Sequence, residues 1–247
     1  MFRRAAFALL AASVVGLAFS SAPLSAEEKK DNPAVKLLNR DIPRHKQFLE
    51  IAKKGNVDVL FLGDSITQGW EGGGKEAWKK SFEPLKAANF GIGGDQTGHV
   101  LWRLTEGKEL EGIQPKVAVI MIGTNNTGGH SAEDIAGGIT AIVDELKKQR
   151  PHCKILLLGV FPRGGGIEKD APVCPAEKLN TKIKQINERI AKLDDGKTVF
   201  YKDIGAKFLN SEGGLPREIM PDLLHLSQKG YAIWAEAIQA DVEKLLK

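Results

Sequence analysis

The chain has 247 residues, 42% apolar and 27% charged, with a formal net charge of +4. That balance suits one soluble globular domain with a sizeable core and excludes a fibre, a repeat array or a disordered chain. Its lysines are spread through stretches of helical spacing such as KLNTKIKQINERIAKL (178–193), a solvated face and not a phosphate-tracking stripe, so no nucleic-acid partner is expected.

The first residues read as a leader. MFRR carries two arginines, Ala5 to Phe19 is an apolar run, and SSAPLSA (20–26) is rich in small residues before EEKKD. A run of 15 residues is shorter than the roughly 20 that span a bilayer, which favours a cleaved signal over a membrane anchor. The expected organisation is a signal peptide over 1–26, a lead-in over 27–44 and one domain over 45–247, exported and without stable membrane insertion once the signal is removed. Losing Arg3 and Arg4 would lower the net charge from +4 to +2.

Along the remaining chain, apolar runs alternate with helical patterns. Residues 45–54 place Phe48, Ile51 and Ala52 on one face and stop at Gly55. VDVLFL (57–62) follows and ends in GDSIT; AANF (87–90) ends in GIGGD; KVAVIMI (116–122) ends in GTNN. Ser131 and Asp134 resemble a capping box that opens AEDIAGGITAIVDELKKQ (132–149), with Pro151 just beyond. KILLLGVF (154–161) is the fourth run. A helix over 176–193 carries Leu179, Ile183, Ile186 and Ile190 at helical spacing, KTVFY (197–201) is the fifth run, and a helix over 227–246 closes the chain.

Five continuous apolar runs with helices between them describe strands buried on both faces. The expected fold is α/β, a three-layer α/β/α sandwich around a five-stranded parallel sheet. In such sheets ligands bind beyond the carboxyl ends of the strands, where GDSIT, GIGGD and GTNN all emerge. Two segments, 71–80 (EGGGKEAWKK) and 212–221 (EGGLPREIMP), match no motif and are open between site lining and surface loop. Cys153 and Cys174 flank the fourth run, about 26 Å long if fully extended, which argues against a disulfide between them.

Each polar turn has an ordinary reading. Asp64 or Ser65 could simply cap a helix. GIGGDQ starts like a dinucleotide fingerprint but has glutamine at 96 where the third glycine belongs. GTNN could be only a turn. Near the C-terminus, DLLHLS places Asp222 and His225 three residues apart, a spacing that lets a carboxylate hold an imidazole; alone, such a pair is commonly a surface hydrogen bond. No HExxH or Cys/His cluster is present, so no metal or cofactor is expected.

Taken together the pieces have a chemical meaning. Ser65 supplies a nucleophile and His225 a base, while the backbone N–H groups of Ser65 and Gly94 and the side-chain amide of Asn125 supply donors for an oxyanion. A side chain at position 94 would obstruct the approach of a substrate.

The motifs GDSIT, NFGIGGDQTGHVLWRL, IMIGTNN and DLLHLS resemble those of the SGNH (GDSL-type) hydrolases, and are similar in particular to the platelet-activating-factor acetylhydrolase catalytic-subunit family, over roughly residues 45–246. The resemblance implies a flavodoxin-like sandwich and no metal. It also implies Ser65, Asp222 and His225 as a triad, and an oxyanion hole of Ser65, Gly94 and Asn125. Mammalian members of that family work inside the cell, whereas this chain is expected to be exported, so the lipid substrate of the family name is not carried over. The expected function is a secreted serine esterase acting on short-chain, chiefly acetyl, esters of a small molecule or glycan. Its rivals are an exported thioesterase or lysophospholipase, and a non-catalytic carbohydrate- or lipid-binding module. The oligomeric state has no signal in the sequence.

Overall fold

Five short, largely apolar strands, with Asn89, Lys154 and Lys202 as polar exceptions, form one parallel sheet: β1 (Val59–Gly63), β2 (Ala87–Gly91), β3 (Val117–Met121), β4 (Lys154–Leu158) and β5 (Val199–Lys202), in the order β2-β1-β3-β4-β5. This is the flavodoxin-like order, with its switch point between β1 and β3. The computed structural model describes residues 32–164 and 176–247. The expected signal peptide and Cys174 lie outside the described residues, as does the side chain of Leu179. Cys153 is a buried free thiol, which burial pushes up to about 12.

Successive strand residues face opposite layers. Leu60, Leu62, Ala118, Ile120, Ile155 and Leu157 pack with Phe48 of α1 (Pro43–Lys54), Val100 of α4 (Thr97–Leu104), Ile135 and Ile139 of α5 (Ala132–Gln149), and Ile183 and Ile186 of α6 (Ala176–Ile190). Val59, Phe61, Val117, Val119, Leu156 and Leu158 pack with Trp70, Phe82, and Trp234 and Ile238 of α7 (Gln228–Leu245). Burial on both faces explains why the strands read as unbroken apolar runs. Among the described residues no helix is long and apolar enough to cross a membrane.

The structure differs from the sequence expectation in several places. The fourth strand stops at Leu158, because the side chain of Asn187 takes both the N–H and the carbonyl of Val160 (2.8 and 3.1 Å) in place of a strand neighbour. The α-helix expected over 176–193 ends at Ile190 and finishes as a 3-10 turn over Ala191–Leu193. The second half of 71–80 forms most of a helix, α3 (Lys75–Ser81), that packs on α7, with Trp78 against Phe61. Residues of the expected lead-in are tied to the core: Thr97 Oγ1 donates to Ala34 O (2.7 Å) and Leu38 N to Gly98 O (3.1 Å). The capping box of Ser131 and Asp134 is formed in full.

The ends of β1 and β2 approach the next turn with almost no clearance. A Cβ on Gly91 would lie 2.2 Å from Gln68 N, 2.7 Å from the Thr67 carbonyl carbon and 2.9 Å from Asp64 O, all backbone atoms that cannot rotate away. Gly91→Ala is therefore expected to destabilise the fold by about 3 kcal/mol, the upper end of overpacking costs, in urea unfolding. Gly128→Ala, at a position with open space around it, should leave the midpoint unchanged. Equal midpoints for the two variants would contradict this close approach.

Candidate active site

Ser65 sits where β1 gives way to a four-residue helix, α2 (Ser65–Gln68). The cap is Asp64, whose Oδ1 accepts the Ile66 N–H at 2.9 Å. Ser65 is thus the first helical residue, and its hydroxyl is left for other partners. Asp64 is the cap that the sequence left undecided between positions 64 and 65.

The His225 ring stands over that hydroxyl. Its Nε2 lies 2.9 Å from Ser65 Oγ and its Nδ1 lies 2.6 Å from Asp222 Oδ2. With Nδ1–H donating to the carboxylate, Nε2 is left with its lone pair toward the serine hydroxyl. Asp222 Oδ1 also accepts the backbone N–H groups of Leu224 (3.0 Å) and His225 (2.7 Å). Burial alone would raise the Asp222 carboxyl. The His225 hydrogen bond and these two N–H groups outweigh it and hold the group below the usual carboxylate range. Such a carboxylate stays ionised and stabilises a charged imidazole beside it.

The loop that carries this pair is fixed from several sides. Leu223 has φ 62°, a left-handed conformation that costs a leucine about 1–2 kcal/mol and folds Asp222 and His225 toward each other. Its carbonyl accepts Gly164 N–H (2.7 Å), and a Cβ on Gly164 would lie only 2.6 Å from Leu223 Cβ. Segment 212–221 leads into this loop and buries Ile219 and Met220. Ser227 caps α7, and Tyr231 of α7 donates from its hydroxyl to Ile66 O at 2.7 Å, joining the helix after His225 to the helix of Ser65.

Gly94 and Asn125 come to the same sheet edge. Gly63 of β1 is level with Gly91 of β2 and with Met121 of β3, so Ser65, Gly94 and Asn125 leave the sheet within a few residues of one level. A Cβ built on Gly93 would lie 3.8 Å from Ser65 Cβ, which places the 92–95 turn directly beside the serine. Among the described residues the N–H groups of Ser65 and Gly94 have no acceptor. Asn125 donates one side-chain N–H to Asp95 O (2.9 Å) and keeps the second. The glycine at 94 has a reason the sequence did not give: φ is 78°, while an added Cβ would meet nothing nearer than an Arg40 nitrogen at 3.7 Å. Backbone conformation, and not crowding inside the protein, demands glycine there.

Behind these groups lies a chain of buried charge that motif reading missed. Arg103, wholly buried, meets Asp95 Oδ2 through Nε (3.0 Å) and Glu109 Oε2 through Nη1 (2.8 Å); Glu109 Oε1 meets His45 Nδ1 (2.7 Å). A signal was present: an arginine inside the apolar run VLWRL must, if buried, be paired with something. Asp64 is also wholly buried, and burial, followed by the nearby Asp95, pushes its carboxyl up to about 7 against the opposing Ile66 hydrogen bond.

The model of the GDSL-like lipase/acylhydrolase family matches residues 61–233, which span Ser65, Gly94, Asn125, Asp222 and His225. The chain belongs to that family. This GDSL-like hydrolase is 41% identical over 209 residues to the α2 subunit of platelet-activating factor acetylhydrolase IB from Gallus gallus, covering 85% of this chain and 86% of the relative. It is 39% identical over 203 residues to the human α1 subunit, covering 82% of each. Among solved structures, a GDSL-like lipase from Bacteroides thetaiotaomicron superposes with a TM-score of 0.62 at 20% identity, covering 81% of this chain and 97% of that one, and shares the fold. The GDSL-like hydrolase is an ester hydrolase.

The buried Asp64 gives this family member a testable pH signature. Its folded carboxyl titrates near 7 while the unfolded one titrates near the ordinary value of about 4, so the folded state binds more protons between those limits. Stability from this group is full below about pH 4 and is lost as pH rises toward 7. Asp64→Asn keeps the oxygen that caps Ile66 and removes the titration. The stability advantage of the wild type over Asp64→Asn should shrink as pH is raised from 4 to 7 in urea unfolding; a difference independent of pH would contradict a protonated Asp64 in the folded state.

Proposed function

We propose that the chain is an exported serine esterase that removes short acyl groups, acetyl first, from an alcohol through an acyl-enzyme. The observation that carries the reading is the unbroken path from Ser65 Oγ to His225 Nε2 (2.9 Å) and from His225 Nδ1 to Asp222 Oδ2 (2.6 Å). Ser65 Oγ attacks the ester carbon as its proton passes to Nε2, and Asp222 stabilises the imidazolium that results. The oxyanion takes the N–H groups of Ser65 and Gly94 and the free N–H of the Asn125 amide. As the tetrahedral intermediate collapses, the bond to the alcohol breaks and His225 gives its proton to the leaving alkoxide. Water, activated by the same nitrogen, then attacks the acyl-enzyme and releases the acid, with the proton returned to Ser65. A binding module would have no use for a serine held at hydrogen-bond distance from an aspartate-oriented histidine.

The acetyl preference is supported by the acetylhydrolase names of the relatives at about two-fifths identity. Export rests on the leader expected over 1–26, with 27–44 as lead-in and 45–247 as the hydrolase domain, and an exported esterase meets acetylated glycans more readily than cytosolic lipids. Acetylated carbohydrate is therefore the substrate class proposed.

Two measurements test the reading. With p-nitrophenyl acetate, Ser65→Ala should abolish turnover without changing the unfolding midpoint, and Asn125→Ala should lower kcat by about 100-fold to 1,000-fold, the cost of one oxyanion donor. Faster turnover of long-chain acyl thioesters or lysophospholipids than of acetyl esters would replace the acetylesterase assignment with the thioesterase or lysophospholipase one. Full activity in Ser65→Ala would overturn the mechanism.

A further inference from the structure

We propose that Asp95 is the positioning residue of the oxyanion hole, setting Gly94 with its side chain and Asn125 with its backbone. The inference rests on the oxyanion reading above and extends it to a residue that touches no substrate.

Asp95 follows Gly94 directly and is fully buried. Its N–H closes the 92–95 turn on Ile92 O (3.2 Å). Its two carboxylate oxygens are pulled in different directions: Oδ1 accepts Arg40 Nε at 2.7 Å, and Oδ2 faces Arg103 Nε at 3.0 Å. Arg40 also donates to Gly93 O, so the same guanidinium holds the turn on either side of Gly94. Arg103 is anchored in turn to the strand ends beneath, with Nη1 donating to Phe90 O (3.0 Å) and Nη2 lying 3.5 Å from Gly63 O. The Asp95 carbonyl accepts one N–H of the Asn125 amide at 2.9 Å, which fixes the rotation of that amide and so the direction of its second N–H. Gln96 Nε2 adds a bond to Asn125 O (3.2 Å).

A buried ion pair is a poor source of stability, because desolvation offsets most of its attraction. What it supplies is direction. The Asp95 carboxylate joins β1 and β2, through Arg103, to a turn whose glycine needs a left-handed backbone, while the Asp95 carbonyl aims a group delivered by β3. Loss of the carboxylate charge would leave every oxyanion donor in the molecule but loosen two of them. Small misplacements of such groups are costly to the transition state and nearly neutral to ground-state binding.

The test is a double-mutant cycle on the full chain with p-nitrophenyl acetate. Asp95→Asn keeps the shape and the carbonyl and removes the charge; its kcat should fall by about 10-fold or more while KM stays within about 2-fold. On an Asn125→Ala background the same substitution should still lower kcat, through Gly94, but by less than on the wild type, because a loosened turn then has only one group left to misplace. Arg40→Gln, at the rim of the clamp, should show the same kcat loss and the same shortfall from additivity, and decides the matter if Asp95→Asn does not fold. Unchanged kcat in both Asp95→Asn and Arg40→Gln, or a rise in KM that accounts for the whole loss of kcat/KM, would overturn the positioning role while leaving the oxyanion hole standing. An Asn125→Ala enzyme with wild-type kcat would overturn both.

Discussion

The register of three parallel strands is the constraint on which the rest depends. Gly63, Gly91 and Met121 lie side by side at the ends of β1, β2 and β3, so three turns that are far apart in sequence start from one level. Hydrogen bonding fixes that register, and burial of both faces prevents a slip, since moving one strand by a residue would send Phe61 or Leu62 into the wrong layer. The glycines at the first two ends let the serine turn settle directly on the sheet.

A second body of packing brings the far end of the chain to the same place. Trp70 packs edge-on or tilted among Phe61, Phe82, Tyr231 and Trp234, with ring centroids 6.2, 5.4, 4.8 and 4.8 Å away. Large aromatic areas of this kind dominate core energetics, and here they lock α7 beside α2. The Tyr231 bond to Ile66 O sets the rotation of that contact. Residue 225 is thereby held over residue 65 although 160 positions separate them. Fold stability and site geometry are one problem in this protein, solved by the same side chains.

Much of this was legible in the sequence because burial leaves a local trace. Continuous apolar runs marked all five strands, Ser131 and Asp134 marked the start of α5, and the residues Ser65, Gly94, Asn125, Asp222 and His225 stood out in turns at strand or helix ends. What could not be read was long-range and polar. Asn187 ending β4 at Leu158, Asp64 taking the cap from Ser65, and Arg103 meeting Asp95 and Glu109 are partnerships with no periodicity to announce them. The helix at Lys75–Ser81 escaped notice because a run of glycines precedes it, and glycine argues locally against helix while Trp78 and its neighbours are held by packing on α7. The reason for glycine at 94 lay in a dihedral angle, which a sequence does not display.

Covalent catalysis by Ser65 is the central claim, and trapping the intermediate tests it most directly. The enzyme would be mixed with p-nitrophenyl acetate, quenched in acid during steady turnover, digested and mapped by mass spectrometry. The account predicts an acetyl adduct on the hydroxyl of Ser65, absent from Ser65→Ala. Continued turnover with no adduct on Ser65, or with the adduct on another residue, would contradict it.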